Sequence, residues 1–555
     1  MERRNIYSAE YQFSAEVSEY YLTNLLGHSM AELAERVHKI AHNSYSVTTD
    51  KKDPFLAISF APVHDFNAAE AKLKDTIQNT DTVGLGIITD GTATNLRVLR
   101  RRFDRNEFEY LRDFEPISLI RMKGQTSRLF CNGGNEVYGR PLSLLTERVE
   151  DVFFEVHSHL RDIDGLHADE ALDELCKLLY LKLFDEETTK EGQSYRVQRW
   201  LYSCVEECAA AIRSVYREAN DYDLRVFGMK IPGYNRSRGV FNEPIKLSSP
   251  ALVKAMETMQ EYHLGKSAID VKGRAFQKVL GPTIRSGMGQ YFTPDPVVRF
   301  LSRIVQPTVH DLILDPFCGS GHFLTACLQI VRDEHKREDK AFHEFAFGKL
   351  HGIEKSDRMV RVAMTDMRLH GDGHSNIRCT DALLTLSNYP DIQPESFDII
   401  LTNPPFGSLL GPEAIGQLGA FRLVEGRGNV PMETIGLERC IQLLRPGGRL
   451  GIVIPDGTLA NINSAYVREW LSECVKVRAI ISLPIETFVP FGASIKTSIL
   501  IVRKWMPGEA RDISYPVFLA RVDNIGYDAT GRHKREADIE RIADTFIGFL
   551  EREGW

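Results

Sequence analysis

The chain has 555 residues, 43% hydrophobic and 26% charged, with a formal net charge of −8. That length predicts two to four domains with cores of their own, and the composition excludes a disordered or collagen-like chain. The acidic balance argues against a protein that coats nucleic acid unaided; no apolar run is long enough for a membrane, the start Met1-Glu2-Arg3-Arg4 lacks a leader's apolar segment, and the dispersed cysteines predict neither structural zinc nor a compartment other than the cytoplasm.

Residues 1–50 begin with helical, partly charged sequence, of which 31–41 is the clearest predicted helix. An α/β unit follows, with a strand near Phe55–Phe60, a helix from Phe66 to Gln78, a strand over Val83–Thr89, a turn at Asp90-Gly91-Thr92 and a strand over Asn95–Phe103. Arg97, Arg100, Arg101, Arg102 and Arg105 form a basic cluster there, expected to be a solvated strand face. From Leu142 to about Gly281 the pattern is helical. Leu172, Leu175, Leu178, Leu179 and Leu183 fall on one stripe at helical spacing and predict core. Cys204 and Cys208 share a helical face as buried small side chains. Tyr222–Ser249, rich in glycine and proline, predicts a surface connection.

Two strings carry chemistry. Leu312-Ile313-Leu314-Asp315-Pro316-Phe317-Cys318-Gly319-Ser320-Gly321 and Phe397-Asp398-Ile399-Ile400-Leu401-Thr402-Asn403-Pro404-Pro405-Phe406 each run from an apolar strand into turn residues. Such strands fit a parallel sheet, which binds ligands at its carboxyl edge. Gly319 and Gly321 leave the backbone open to a ligand. Asn403 and the carbonyls of Pro404 and Pro405 form a group dominated by acceptors, able to hold an exocyclic amine, and Phe406 offers a face for a flat ring. Thr293 and Asp295 mark a helix start. Glu354, ending another strand, suits the hydroxyls of a ribose. Gly407–Val430 reads as a mobile loop or an insertion, Thr434–Leu444 as a helix, and Pro446-Gly447-Gly448 as the turn into a strand over Leu450–Ile454. Asp538–Leu550 carries an amphipathic stripe suited to docking on another helix.

Asp315-Pro316-Phe317-Cys318-Gly319-Ser320-Gly321 and Asn403-Pro404-Pro405-Phe406 resemble motifs I and IV of S-adenosylmethionine-dependent N6-adenine DNA methyltransferases. Gly289-Gln290-Tyr291-Phe292-Thr293-Pro294 resembles the motif X that opens the gamma arrangement. The helical region resembles its counterpart in modification subunits of type I restriction-modification enzymes. Residues 45–135 resemble their nuclease-like domain, though Pro54–Phe60 lacks the acid-x-Lys pair a working nuclease needs.

The resemblance implies an α/β fold: a Rossmann-like class I methyltransferase domain over 270–508, after an α/β module at 1–135 and a helical domain at 136–269, and before a helical tail at 509–555. It implies S-adenosylmethionine held by Tyr291, Phe292, Thr293, Asp315, Phe317, Gly319, Gly321, Glu354, Asp381 and Ala382 or Leu383. Asn403, Pro404, Pro405 and Phe406 would be catalytic, with Phe406 and either Phe491 or Phe488 stacking on a flipped adenine. Implied partners are double-stranded DNA, a separate specificity subunit, a second copy of the chain and a nuclease subunit. A cofactor-binding sensor, or an enzyme acting on RNA or protein, is the alternative.

Overall fold

The computed structural model describes residues 37–555 apart from 42–43, 49–53, 80–82, 84, 90–95, 103–106, 112–141, 147–150, 191–194, 200–201, 203–204, 231–240, 242, 286–291, 336–339, 372–375, 389–390, 513 and 535–536. It divides into two compact units: one drawn from residues up to 144 with 181–217 and 247–266, the other from 145–180, 218–246 and 267–555.

The first unit contains a six-stranded sheet whose strands follow chain order: β1 (Val37–Ala41), β2 (Ser44–Thr48), β3 (Pro54–Phe60), β4 (Leu85–Thr89), β5 (Leu96–Arg102) and β6 (Glu107–Leu111). Only β3 and β4 pair in parallel, and a parallel step needs a crossover. Helix α1 (Phe66–Gln78) supplies it, burying Phe66, Leu73 and Ile77. The expected helix at 31–41 is not formed over Val37–Ala41, which pairs with β2 instead; the β-branched Val37 and Ile40 suit a strand, and pairing overrides local propensity. The turn at Asp90-Gly91-Thr92 lies outside the described residues.

The arginine cluster is also corrected. Arg97 pairs with Glu70 of α1 at 2.6 Å, Arg100 is buried, and Arg101 donates to the Ile77 carbonyl at 3.0 Å. These cations are turned toward α1 and the interior, because α1 brings an acid and carbonyl ends over the strand; Arg105 lies outside the described residues.

Helix α2 (Val152–Asp164) precedes α3 (Ala168–Thr188), in which the predicted leucine stripe is buried throughout. Helix α4 (Val205–Lys230) takes in the first nine residues of the predicted connection, Tyr222 to Lys230, and residues 231–240 lie outside the described residues. A single interior glycine, Gly228, costs a helix only about 1 kcal/mol. Cys208 is buried; Cys204 lies outside the described residues.

The second unit is built on an eight-stranded sheet. Its strands are β7 (Ile313–Asp315), β8 (Leu350–Glu354), β9 (Ile377–Cys379), β10 (Phe397–Thr402), β11 (Leu444–Pro455), β12 (Val475–Ser482), β13 (Thr497–Lys504) and β14 (Phe518–Arg521). Their spatial order is β9-β8-β7-β10-β11-β13-β12-β14. The chain lays strands outward from β7 to β9, then returns to the other side of β7 with β10, which pairs with it in parallel. That reversal opens a crevice at the carboxyl ends of β7 and β10, where a doubly wound sheet binds its ligand.

Helices α5 (Ile269–Arg285), α6 (Asp295–Ile304), α7 (His322–Glu334), α8 (Asp357–Leu369) and α9 (Met432–Leu443) accompany this sheet. Pro294, not Thr293, caps α6, without a side-chain cap bond. Pro446-Gly447-Gly448 lies inside β11, where the pairing with β10 shifts register, so it acts as a bulge within one strand. The segment 407–430 packs onto its neighbours, with Phe421 and Val430 in one buried cluster with Leu383 and Ile435.

Helix α10 (Asp538–Glu553) docks as its stripe predicts: Ile539, Ile542, Phe546 and Leu550 are buried, and Asp544 pairs with Arg303 of α6 at 2.5 Å. In the same unit Arg361 of α8, 1% exposed, pairs with Asp173 of α3 at 2.5 Å. No helix among the described residues is long and apolar enough to cross a membrane.

Candidate active site

Asp315 closes β7 and Asn403 follows β10, so adjacent parallel strands deliver both to one edge. The Thr402 hydroxyl donates to Asp315 Oδ1 at 2.6 Å, tying together strings 87 residues apart. The Phe317 amide donates to the same oxygen at 3.1 Å. Asp315 is 1% exposed, and burial lifts its pKa to about 7, against these two donors. A fully buried carboxyl beside an open cavity suits a cationic ligand group, which would restore its charge.

The glycine loop from Asp315 to α7 turns on Gly319 and Gly321, both at positive φ. A side chain at Gly321 would also meet Ala363 Cβ at 3.2 Å, so α7 and α8 can approach closely only with glycine there. Glu354, at the end of β8, accepts from the Gly319 amide at 3.1 Å and the Ser356 amide at 2.7 Å. Burial raises its pKa, opposed by these amides. It braces the loop while standing at the strand end expected of a ribose ligand. Asp381, following β9, accepts from Lys355 at 3.0 Å and from the Leu383 amide at 2.9 Å. Ala382 and Leu383 are both 3% exposed, and Ala382 belongs to the sheet core.

A cavity at this edge is lined by Phe292, Thr293, Asp315, Phe317, Cys318, Gly319, Ser320, His322, Phe323 and Asn403. It gathers residues of all three predicted motifs. Tyr291 lies outside the described residues, Gly321 is not in the lining, and Glu354 and Asp381 stand at the neighbouring strand ends. A larger cavity lies elsewhere, between residues such as Arg422, Trp470 and Trp505, and none of the expected site residues lines it.

The decisive atom is Asn403 Oδ1. It is buried and has no hydrogen-bond partner among the described residues. An unpaired buried acceptor costs about 1–3 kcal/mol, and this one lies in a residue that lines the cavity. The following turn is held from behind: a side chain at Gly436 would meet both Phe317 and Pro404 at 3.2 Å, so α9 presses directly on the two motifs. Phe406 is 4% exposed and sits edge-on to Phe488, ring centroids 6.0 Å apart at 90°. Phe488 is fully buried, whereas Phe491 is partly exposed and meets Tyr527 at 6.3 Å. Thus Phe488 supports Phe406, and Phe491 retains surface.

Sequence reasoning did not single out His322 or Glu433. His322 lines the cavity from the first turn of α7. Glu433, 8% exposed on α9, accepts from the Gly407 amide and leaves its Oε2 without a partner among the described residues. Only the position of His322, directly after the glycine loop, hinted at a role.

The type I restriction enzyme EcoEI methylase subunit of Escherichia coli is 30% identical over 243 residues, 42% of this chain and 46% of that protein. The EcoKI methylase subunit of Escherichia coli strain K12 is 26% identical over 363 residues, covering 62% of this chain and 65% of its own. The chain therefore spans about half to two thirds of the length of these relatives. Among solved structures, a chain from a type I R-M system superimposes with a TM-score of 0.56 at 20% identity, over 74% of this chain and 85% of that one. The chain accordingly shares the fold of that structure. The N-6 DNA Methylase pattern matches residues 268–555, which include the cavity, both strings and the docked terminal helix, and the chain belongs to that family.

Proposed function

We propose that this chain transfers a methyl group from S-adenosylmethionine to the N6 amine of an adenine flipped out of DNA. The observation that carries the reading is the unpaired Asn403 Oδ1, in the same cavity as Asp315 and the glycine loop. The residues suit the cofactor: Asp315 and Phe292-Thr293 for its amino-acid end, Glu354 for the ribose, Asp381 with Ala382 or Leu383 for the adenine, and Phe317, Gly319 and Gly321 for the close approach.

When bound, S-adenosylmethionine supplies an electrophilic methyl group on sulfur. The chain's own task is positioning. Asn403 Oδ1 and the Pro404 carbonyl accept from the two N–H groups of the target amine, drawing its lone pair out of the ring and toward the cavity. Phe406, braced by Phe488, supports one face of the base, and Phe491 is the ring free to meet the other. With the donor bound, the target nitrogen would take up that methyl group as sulfur departs with the bonding electrons, and would then shed a proton. Holding both reactants in line supplies most of the rate. A base within a duplex must leave the stack to reach these groups.

Because the relatives are methylase subunits of type I restriction enzymes, we infer that a separate specificity subunit reads the DNA sequence, with a nuclease subunit and a second copy of this chain as further partners. The test is methyl transfer from labelled cofactor to DNA, RNA and protein, using the chain with the products of its neighbouring genes. Label in DNA, recovered as N6-methyladenine and lost in Asn403→Ala, is expected. Label in RNA or protein overturns the substrate, and no label in any fraction overturns the activity.

A further inference from the structure

We propose that His322 is a positioning residue for the carboxylate at the amino-acid end of the methyl donor, and that Gln277 and Asp366 fix it in the tautomer able to donate. The inference rests on the donor assigned above and deepens it.

The cavity holds two strong acceptors, Asp315 and Asn403 Oδ1, and four side chains able to donate, Thr293, Ser320, His322 and, through Nδ2, Asn403. An amino-acid zwitterion needs both kinds. Its ammonium belongs with Asp315, and its carboxylate must find N–H or O–H groups. Two lining side chains carry nitrogen donors, His322 and Asn403, and Asn403 is given to the target amine in the reading above, which leaves His322.

Its proton is placed by its neighbours. Gln277 Nε2, on α5, lies 2.9 Å from His322 Nε2 and 3.5 Å from Asp366 Oδ2. A carboxylate only accepts, so the Gln277 amide group turns its NH₂ toward Asp366 and donates to His322 with its other hydrogen. His322 Nε2 therefore accepts. Burial holds His322 below the ordinary histidine pKa, although Asp366 and Asp295 favour its charge; His370 opposes it. A neutral imidazole has a single N–H, which leaves it on Nδ1. Asp366 is itself fully buried, with Oδ1 3.3 Å from His370 Nδ1, whose hydrogen bond goes to the Asp366 carbonyl at 2.8 Å. A glutamate at 277 would place a second carboxylate against Asp366 and could not donate to His322. The glutamine amide satisfies both neighbours at once.

The test measures equilibrium binding of S-adenosylmethionine and of decarboxylated S-adenosylmethionine to the full chain. A hydrogen bond to a charged group contributes about 1.5–3 kcal/mol, so His322→Ala should weaken the first ligand by roughly tenfold or more and the second by less than about twofold. His322→Asn, which keeps an N–H donor, should recover part of the loss. Gln277→Leu leaves the imidazole in place but frees its tautomer, and should lower the preference for the carboxylate-bearing ligand by about threefold. Equal weakening of both ligands in His322→Ala, or an unchanged preference in Gln277→Leu, overturns the proposal; the second arm decides it if His322→Ala does not fold. If the wild-type chain binds neither ligand, the donor assignment fails instead.

Discussion

Replacing Asn403 by alanine should separate activity from stability, because the structure gives this amide oxygen no partner to lose. Oδ1 is buried and unpaired among the described residues, a state that costs the fold about 1–3 kcal/mol. Asn403→Ala removes that cost along with a few packing contacts, so the unfolding free energy should stay level or rise by about 1 kcal/mol. Activity should move the other way. The acceptor is preorganised for an amine whose nitrogen becomes positive as the bond forms, and deleting one such group lowers turnover by about a hundred- to a thousandfold, roughly 2.7–4 kcal/mol. Initial rates of methyl transfer, measured beside urea unfolding of the same preparations, provide the assay. A fall in stability beyond about 2 kcal/mol, or a rate within about tenfold of wild type, would refute the reasoning, since either means that Asn403 serves the fold.

Further consequences follow from neighbouring groups. Asp315 has a folded pKa of about 7 against an ordinary 3.8; the raised value favours the protonated form, so its contribution to stability is complete below about pH 4 and is lost as pH rises through 7, by an amount of the order of a few kcal/mol. Asp315→Asn should flatten that slope in urea titrations from pH 4 to 8, and wild-type binding of the donor should tighten from pH 6 to 8 as the carboxylate forms. Arg361→Ala leaves buried Asp173 with Lys177 alone, at 3.5 Å, and should cost up to about 3–5 kcal/mol in the same unfolding assay. Phe488→Ala, at a fully buried position, should also lose about 3–5 kcal/mol; Phe491→Ala should leave stability nearly unchanged and reduce turnover on duplex DNA. Gly436→Ala forces a methyl group against Phe317 and Pro404; binding of the donor should weaken measurably in calorimetry, with a melting temperature less affected.

Much of the catalytic unit was legible because its signals are local. An apolar run of a few residues ending in Asp-Pro or Asn-Pro-Pro must be a buried strand running into a turn, and β7 and β10 form there. The stripes of α3 and α10 likewise follow from helical spacing, since a face of leucines, isoleucines and phenylalanines has to be covered. Where the reading failed, the deciding partner was distant in the chain. Val37–Ala41 became a strand because β2 pairs with it, and Arg97, Arg100 and Arg101 turned inward because α1 lies over them.

By itself, the sequence determined the chemical inventory: a glycine turn, an amide followed by two prolines, an aromatic ring, and the strands and helices that carry them. Only the tertiary structure decided how that inventory is used. Strand order placed β7 beside β10, so that Thr402 could bond Asp315; burial raised the carboxyl's pKa; and packing left Asn403 Oδ1 unpaired while it locked Phe488 behind Phe406. The physical reason is range. Turn geometry and periodicity act over a few residues, whereas desolvation and hydrogen-bond satisfaction depend on groups that the chain brings together only after the sheet has closed.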